Sequence, residues 1–155
     1  VILRFQLTRD GAEFVARVRP YQAHVLHRAL TLQLGEPDAA LAIRLGAGRG
    51  TVRDLAGRFG SEWTATRELR FALGELHVLH GALTGAAVLF VERGLFSERA
   101  FHEATESYRE HFDALAAGLV EAVSPPDTPD IAVAPDPASP QSPQSPQSPQ
   151  SPSAH

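Results

Sequence analysis

The segment HVLHRALT at residues 24–31 returns as HVLHGALT at residues 77–84, with seven of eight letters unchanged and a spacing of 53 positions. Aligning the octamers also aligns Arg17-Val18 with Arg70-Phe71, a pair at the same distance before each copy. What recurs is therefore longer than a histidine motif. Each copy is preceded by residues that alternate apolar and polar, the period of a half-buried strand, and itself repeats apolar residues at helical spacing. The economical reading is a duplicated strand-helix unit.

Working outward, VILRFQLT places Leu3, Phe5 and Leu7 on one face of a first strand, and EFVARVR places Phe14, Ala16 and Val18 on one face of a second. Asp10-Gly11 between them suits the positive φ of a tight hairpin turn. Leu41, Ile43 and Leu45 alternate as a third strand, and Leu69, Phe71 and Leu73 as a fourth. Pro20 opens the first helix, which runs to Gly35. Its apolar side holds Val25, Leu26, Ala29 and Leu30, while His24, His27, Arg28 and Thr31 gather opposite. The helix carrying the second octamer is apolar nearly all round and is expected to be central, with His77 and His80 buried and hydrogen-bonded. A third helix starts at Ser97 as N-cap and continues to residue 123, making a C-terminal helical hairpin with the second. The expected fold class is α+β: about four mostly antiparallel strands packed on two to three helices.

Ten of the twelve prolines lie beyond Ser124, in a stretch ending in repeated SPQ units. Such a composition cannot bury enough surface to offset its ordering entropy. The expected organisation is one domain over residues 1–123 and a disordered Pro/Ser/Gln-rich tail over 124–155. Lys, Asn, Cys and Met are absent while Arg and Ala abound, the mark of a GC-rich bacterial genome. Without cysteine there is no disulfide and no thiolate metal site. The longest nonpolar run, residues 81–91, is short of the roughly 20 residues of a membrane span, so a cytoplasmic protein without membrane contact is expected. Net charge is −4, split between a basic half (residues 1–70) and an acidic half (71–123), as a head-to-tail contact or a weak anion-binding face would show.

Two His-x-x-His pairs, His24 with His27 and His77 with His80, place imidazoles on one face of each helix and together offer four nitrogen ligands to zinc, copper, iron or nickel. No Asp or Glu stands one turn away to complete a set, so a His-dependent metal protein is the third reading rather than the first. FHEATESYREH lacks the His-Glu-x-x-His spacing of metalloprotease helices, and GAGRG at 46–50 has no phosphate-loop lysine. No catalytic residue and no cofactor is assigned.

TVRDLAGRFG at 51–60 resembles the first helix and turn of bacterial helix-turn-helix regulators: Val52, Leu55, Ala56 and Phe59 form the buried stripe, Thr51 caps it, and Gly60 stands at the turn. The resemblance spans about 51–73 and implies DNA binding, with Arg49, Arg53, Arg58, Arg67 and Arg70 contacting phosphates. The position after the turn glycine is Ser61, however, and Thr66 and Arg70 stand where core residues belong, while TRELRFAL also alternates as a strand. The favoured expectation is a non-enzymatic interaction or accessory protein with an unknown protein partner. Self-association as a homodimer is expected through Gly81, Gly85 and Val88, since the second helix needs cover on every side and small residues allow close approach. DNA binding is the runner-up.

Overall fold

Chain reversal at Asp10-Gly11 occurs as its chemistry dictates. In the computed structural model, which describes residues 4–60, 63–94 and 97–124, β1 (Gln6–Asp10) and β2 (Glu13–Val18) form an antiparallel hairpin. Gly11 takes the φ of +64° that the turn needs. β3 (Arg67–Ala72) pairs antiparallel with β2, giving the order β1-β2-β3. Phe14, Ala16, Val18 and Phe71 are buried on the inner face. The outer face carries charged pairs, Arg70 with Asp10 at 2.8 Å and Arg17 with Glu68 at 3.9 Å.

Within the β2–β3 ladder Ala16 pairs with Leu69, and these residues are 53 positions apart, the octamer spacing. The local two-fold axis through that pair exchanges β2 with β3 and, at the same offset, α1 (Pro20–Gln33) with α4 (Leu73–Glu92). The two helices bury matching positions: Ala23, Val25, Leu26, Ala29 and Leu30 in α1; Leu76, Val78, Leu79, Ala82 and Leu83 in α4. They also start alike. Gln22 Oε1 accepts from the Arg19 N–H, and Glu75 Oε2 accepts from the Ala72 N–H, both at 2.9 Å, each satisfying a donor flanking the first turn.

The correspondence continues beyond them at a spacing of 60. α2 (Asp38–Leu45) and α5 (Glu98–Thr105) are both 8 residues long and end on a left-handed residue, Gly46 at φ 65° and Glu106 at φ 56°. α3 (Arg49–Phe59) buries Val52, Leu55, Ala56 and Phe59 where α6 (Arg109–Val123) buries Phe112, Leu115, Ala116 and Leu119. α4 has 20 residues against 14 in α1, which accounts for most of the change in spacing. The molecule is thus a strand-and-three-helix unit present twice, and the strand-helix duplication visible in the octamers is its first part.

The α+β class holds, with three strands and six helices among the described residues. Two expectations need correction. Residues 41–45 are helical, not a strand: Leu41 and Leu45 are buried four apart, Ile43 faces solvent, Asp38 sits in the first turn and Gly46 ends the helix. The expected continuous helix to residue 123 is broken at Glu106. There Thr105 Oγ1 donates to the Phe101 carbonyl and accepts from the Ser107 N–H, turning the chain into α6. Leu3, Ser61 and residues 125–155 lie outside the described residues.

Glu106 adopts a conformation that disfavours side chains, and its carboxylate lies 3.1 Å from Arg28. Glycine would relieve the backbone but lose the ion pair, whereas alanine loses the pair and keeps the unfavourable φ. Glu106→Ala should therefore melt about 4 °C below Glu106→Gly. Arg28 holds the Glu106 carboxyl below the usual carboxylate range, with His24 and His102 adding to the effect. Because the folded pKa is depressed, the ion pair's contribution is present above the unfolded pKa and is lost as pH falls through the folded one. The wild type's margin over Glu106→Gly should shrink across that acidic window, as pH-dependent melting would show.

α4 is, by length and composition, apolar enough to cross a membrane, yet α1, α2 and α6 pack against it. Gly81 and Gly85 on α4 are approached from within the chain. A Cβ on Gly81 would lie 3.0 Å from Leu45 Cδ2 and 3.3 Å from the Arg44 carbonyl, and one on Gly85 would lie 2.9 Å from Gln33 Nε2. At Gly81 the neighbour is α2 and at Gly85 it is the Gln33 side chain of α1, while both glycines stay half-buried beside a surface concavity that Val88 also lines. Val88 remains exposed.

Candidate functional site

The duplication builds one groove in each half, and each is lined by one His-x-x-His pair. In the first, Pro20, Ala23, His24 and His27 of α1 face Phe59 at the end of α3, with Gly60 and Trp63 following it, around about 460 Å³. In the second, Leu73, Leu76, His77 and His80 of α4 face Leu119, Val120 and Val123 at the end of α6, around about 570 Å³. These residues correspond one to one at the two spacings. The repeated octamer therefore marks equivalent walls of two grooves, and the two histidine pairs do not pool their nitrogens. Among the described residues no group of three or more His, Asp or Glu is arranged to hold a metal ion.

The grooves have diverged at one corner. At the first groove Glu106 Oε2, from the second unit, lies 3.1 Å from Arg28 Nη2 and 3.7 Å from His24 Nε2, and His24 Nε2 also lies 3.3 Å from the Thr105 carbonyl. At the second groove the counterparts of Glu106 and Arg28 are Gly46, from the first unit, and Gly81. Gly46 has nearly the same backbone angles as Glu106 but no side chain. A Cβ placed there would lie 3.7 Å from His77 Nε2. The corner that an ion pair fills at the first groove is open at the second, and the lining there is aliphatic apart from two imidazoles.

The expected burial of the histidines is reversed. His24 and His27 are half-buried, with His27 Nδ1 3.1 Å from the Ala56 carbonyl, whereas His77 is exposed and His80 half-buried. The reason is α5, whose C-terminal end covers the His24 face of α1, while the outward face of α4 at His77 borders the open groove.

The arginines expected to contact DNA are dispersed and mostly engaged. Arg49 donates to Asp38 Oδ1 and to the Leu34 and Glu36 carbonyls. Arg58 bonds Glu75 and the Arg70 carbonyl and lies over the Phe71 ring. Arg67 lies over the Trp63 ring, Arg70 pairs with Asp10 and Glu13, and Arg53 sits on the exposed side of α3. α3 is the helix the resemblance implies, but the recognition helix is not formed, because Arg67–Ala72 is a strand hydrogen-bonded to β2. A basic concavity that the sequence reading did not single out is lined by Arg4, Arg17 and Arg19; only the hairpin register brings the first two together.

Tyr21, Ser107 and His111 form a hydrogen-bonded trio, with Tyr21 Oη 2.6 Å from His111 Nδ1 and donating to Ser107 Oγ at 3.3 Å. It resembles a nucleophile beside a base only in composition. Ser107 is fully buried and receives a proton contact from a phenol, so it is not placed to attack a substrate. Its counterpart at the +60 spacing is Ala47, and those of Tyr21 and His111 are Gly74 and Thr51, so the trio is found only at the side of the molecule whose groove corner is closed. No protein-family model matches this chain, and neither a curated protein nor a solved structure is similar to it.

Proposed function

We propose that this is a non-enzymatic binding protein of the interaction or accessory kind, acting in the cytoplasm, that holds an aliphatic group of its partner in the groove between α4 and α6. The observation that carries the reading is the open aliphatic corner at Gly46 and His77, set against the same corner closed by an ion pair in the other half. A fold that can close the corner with its own side chains and leaves one copy open has room for something from outside. The volume is in the range of ligand sites, and aliphatic lining with few polar groups is their usual chemistry. The apolar surface bordering it includes Leu73 at 60% and Val120 at 50% exposure.

Titration with an environment-sensitive anilinonaphthalene dye tests this. Saturable one-to-one binding is expected. Val120→Glu should weaken it by more than about tenfold, since a carboxylate in the wall resists desolvation, while Ile43→Glu, on a solvent-facing side of α2, should change nothing. Binding that is unsaturable, or indifferent to Val120→Glu, would remove the groove from consideration.

A further inference from the structure

The geometry points to a free aliphatic monocarboxylate as the occupant of the groove between α4 and α6, its carboxylate against His77 and its hydrocarbon chain along Leu76, Leu119, Val120 and Val123. This rests on reading that groove as the binding surface and adds the chemistry of what it holds.

The first support is internal to the molecule. In the other half, the position equivalent to Gly46 carries a carboxylate, and that carboxylate lies 3.7 Å from His24, the residue equivalent to His77. The backbones match: φ and ψ are 56° and 23° at Glu106, and 65° and 17° at Gly46. His77 therefore faces, across Gly46, the space that a carboxylate fills in the duplicate. An imidazole N–H there is a fitting donor to an anionic oxygen. Arg28 has no counterpart in this groove, so the site leans on histidine and on burial of the chain rather than on a full ion pair.

The second support is the lining. Beyond the two histidines its side chains are aliphatic, and among the described residues no arginine or carboxylate borders it. An extended peptide would bring an N–H and a C=O at every residue, each needing a partner. The walls are side chains of helices whose backbone groups are largely used within the helices, so they offer few such partners. A hydrocarbon chain needs none, and its burial is favourable in proportion to the apolar area covered. The volume of about 570 Å³ accommodates a medium-length chain with its headgroup at one end.

The test is calorimetric titration of the full chain with dodecanoate, below its micellar concentration, and with dodecanol, below its solubility limit. Dodecanoate is expected to bind one-to-one and at least about tenfold more tightly than dodecanol, the margin of a hydrogen bond to a charged group. Two variants should bring that ratio close to one: Gly46→Glu, which rebuilds at His77 the arrangement seen at His24, and His77→Leu, which removes the donor at an exposed position. Circular dichroism checks that both fold; should Gly46→Glu fail, His77→Leu carries the comparison. Equal affinity for acid and alcohol in the wild type would overturn the carboxylate inference and leave the groove reading standing. Failure of both ligands to bind would bring down the groove reading too. A ratio that survives both substitutions would place the carboxylate elsewhere and overturn the proposal. So would a solution mass of two chains that reverts to one in Val120→Glu, because a second copy would then occupy the groove.

Discussion

Replacing Phe71 by alanine lowers the unfolding free energy by about 3–5 kcal/mol, the range for deleting a buried aromatic side chain. Phe71 is fully buried, stacks on Phe59 at 6.1 Å between ring centroids, and lies under the Arg58 guanidinium at 4.5 Å. On the neighbouring strand its partner is Phe14. It thus joins the sheet to α3. For a domain whose total stability is of the order of 5–15 kcal/mol, that loss is a large fraction. Val18 occupies the equivalent place in β2 and is also fully buried. Truncating it to alanine deletes only two methyl groups and should cost about 2 kcal/mol. Urea midpoints of the two variants make the comparison. A cost below about 1 kcal/mol at Phe71 would mean that the inner sheet face is not part of the core.

What could be read from the sequence, and what could not, follows the way the halves diverged. The first helices of the two units keep both pattern and letters, so the duplication was legible from HVLHRALT and HVLHGALT, while the strands before them share only Arg17 with Arg70 and were read, like the hairpin, from their alternation and from Asp10-Gly11. The second and third helices keep burial but not letters: from Asp38 to Phe59 and from Glu98 to Leu119 the identities are Ala40 with Ala100, Arg49 with Arg109, Leu55 with Leu115 and Ala56 with Ala116. A longer α4 also shifts the alignment, which hides the relation from any search at a fixed period. LAIRL alternates like a strand and also places Leu41 and Leu45 one helical turn apart; five residues cannot distinguish the two periods. The signals that could have done so, Asp38 in the first turn and Gly46 after the last, stood at its edges. The grooves were half legible. The histidines were visible as a repeat, but their opposite walls come from Phe59 and Leu119, more than 30 positions away, and only the packing of α3 on α1 and of α6 on α4 sets them in place. The helix-turn-helix resemblance had its first helix right because a buried stripe at helical spacing is the same in any helical fold. It failed where β2 offered Arg67–Ala72 a strand partner.

Replacing Gly81 by leucine should destabilise the domain by about 3 kcal/mol or more, and by the same amount at every protein concentration. The new side chain would start 3.0 Å from Leu45 Cδ2 and 3.3 Å from the Arg44 carbonyl. The first atom can swing aside, but the second is backbone, so α2 itself has to move. α2 is anchored by Leu41 and Leu45, both fully buried, and exposing either costs about 1.5–3 kcal/mol. The helix-propensity gain of leucine over glycine, under about 1 kcal/mol, does not offset this. Concentration decides between the two roles that small residues on α4 could have. If Gly81 admitted a second copy of α4, the wild type's unfolding midpoint would rise with protein concentration by mass action, and the leucine variant would lose that dependence. With α2 seated on Gly81, the midpoint of each protein is flat over a hundredfold range of concentration and the difference between them constant. A wild-type midpoint that climbs across that range would assign the glycine face to an interface between chains.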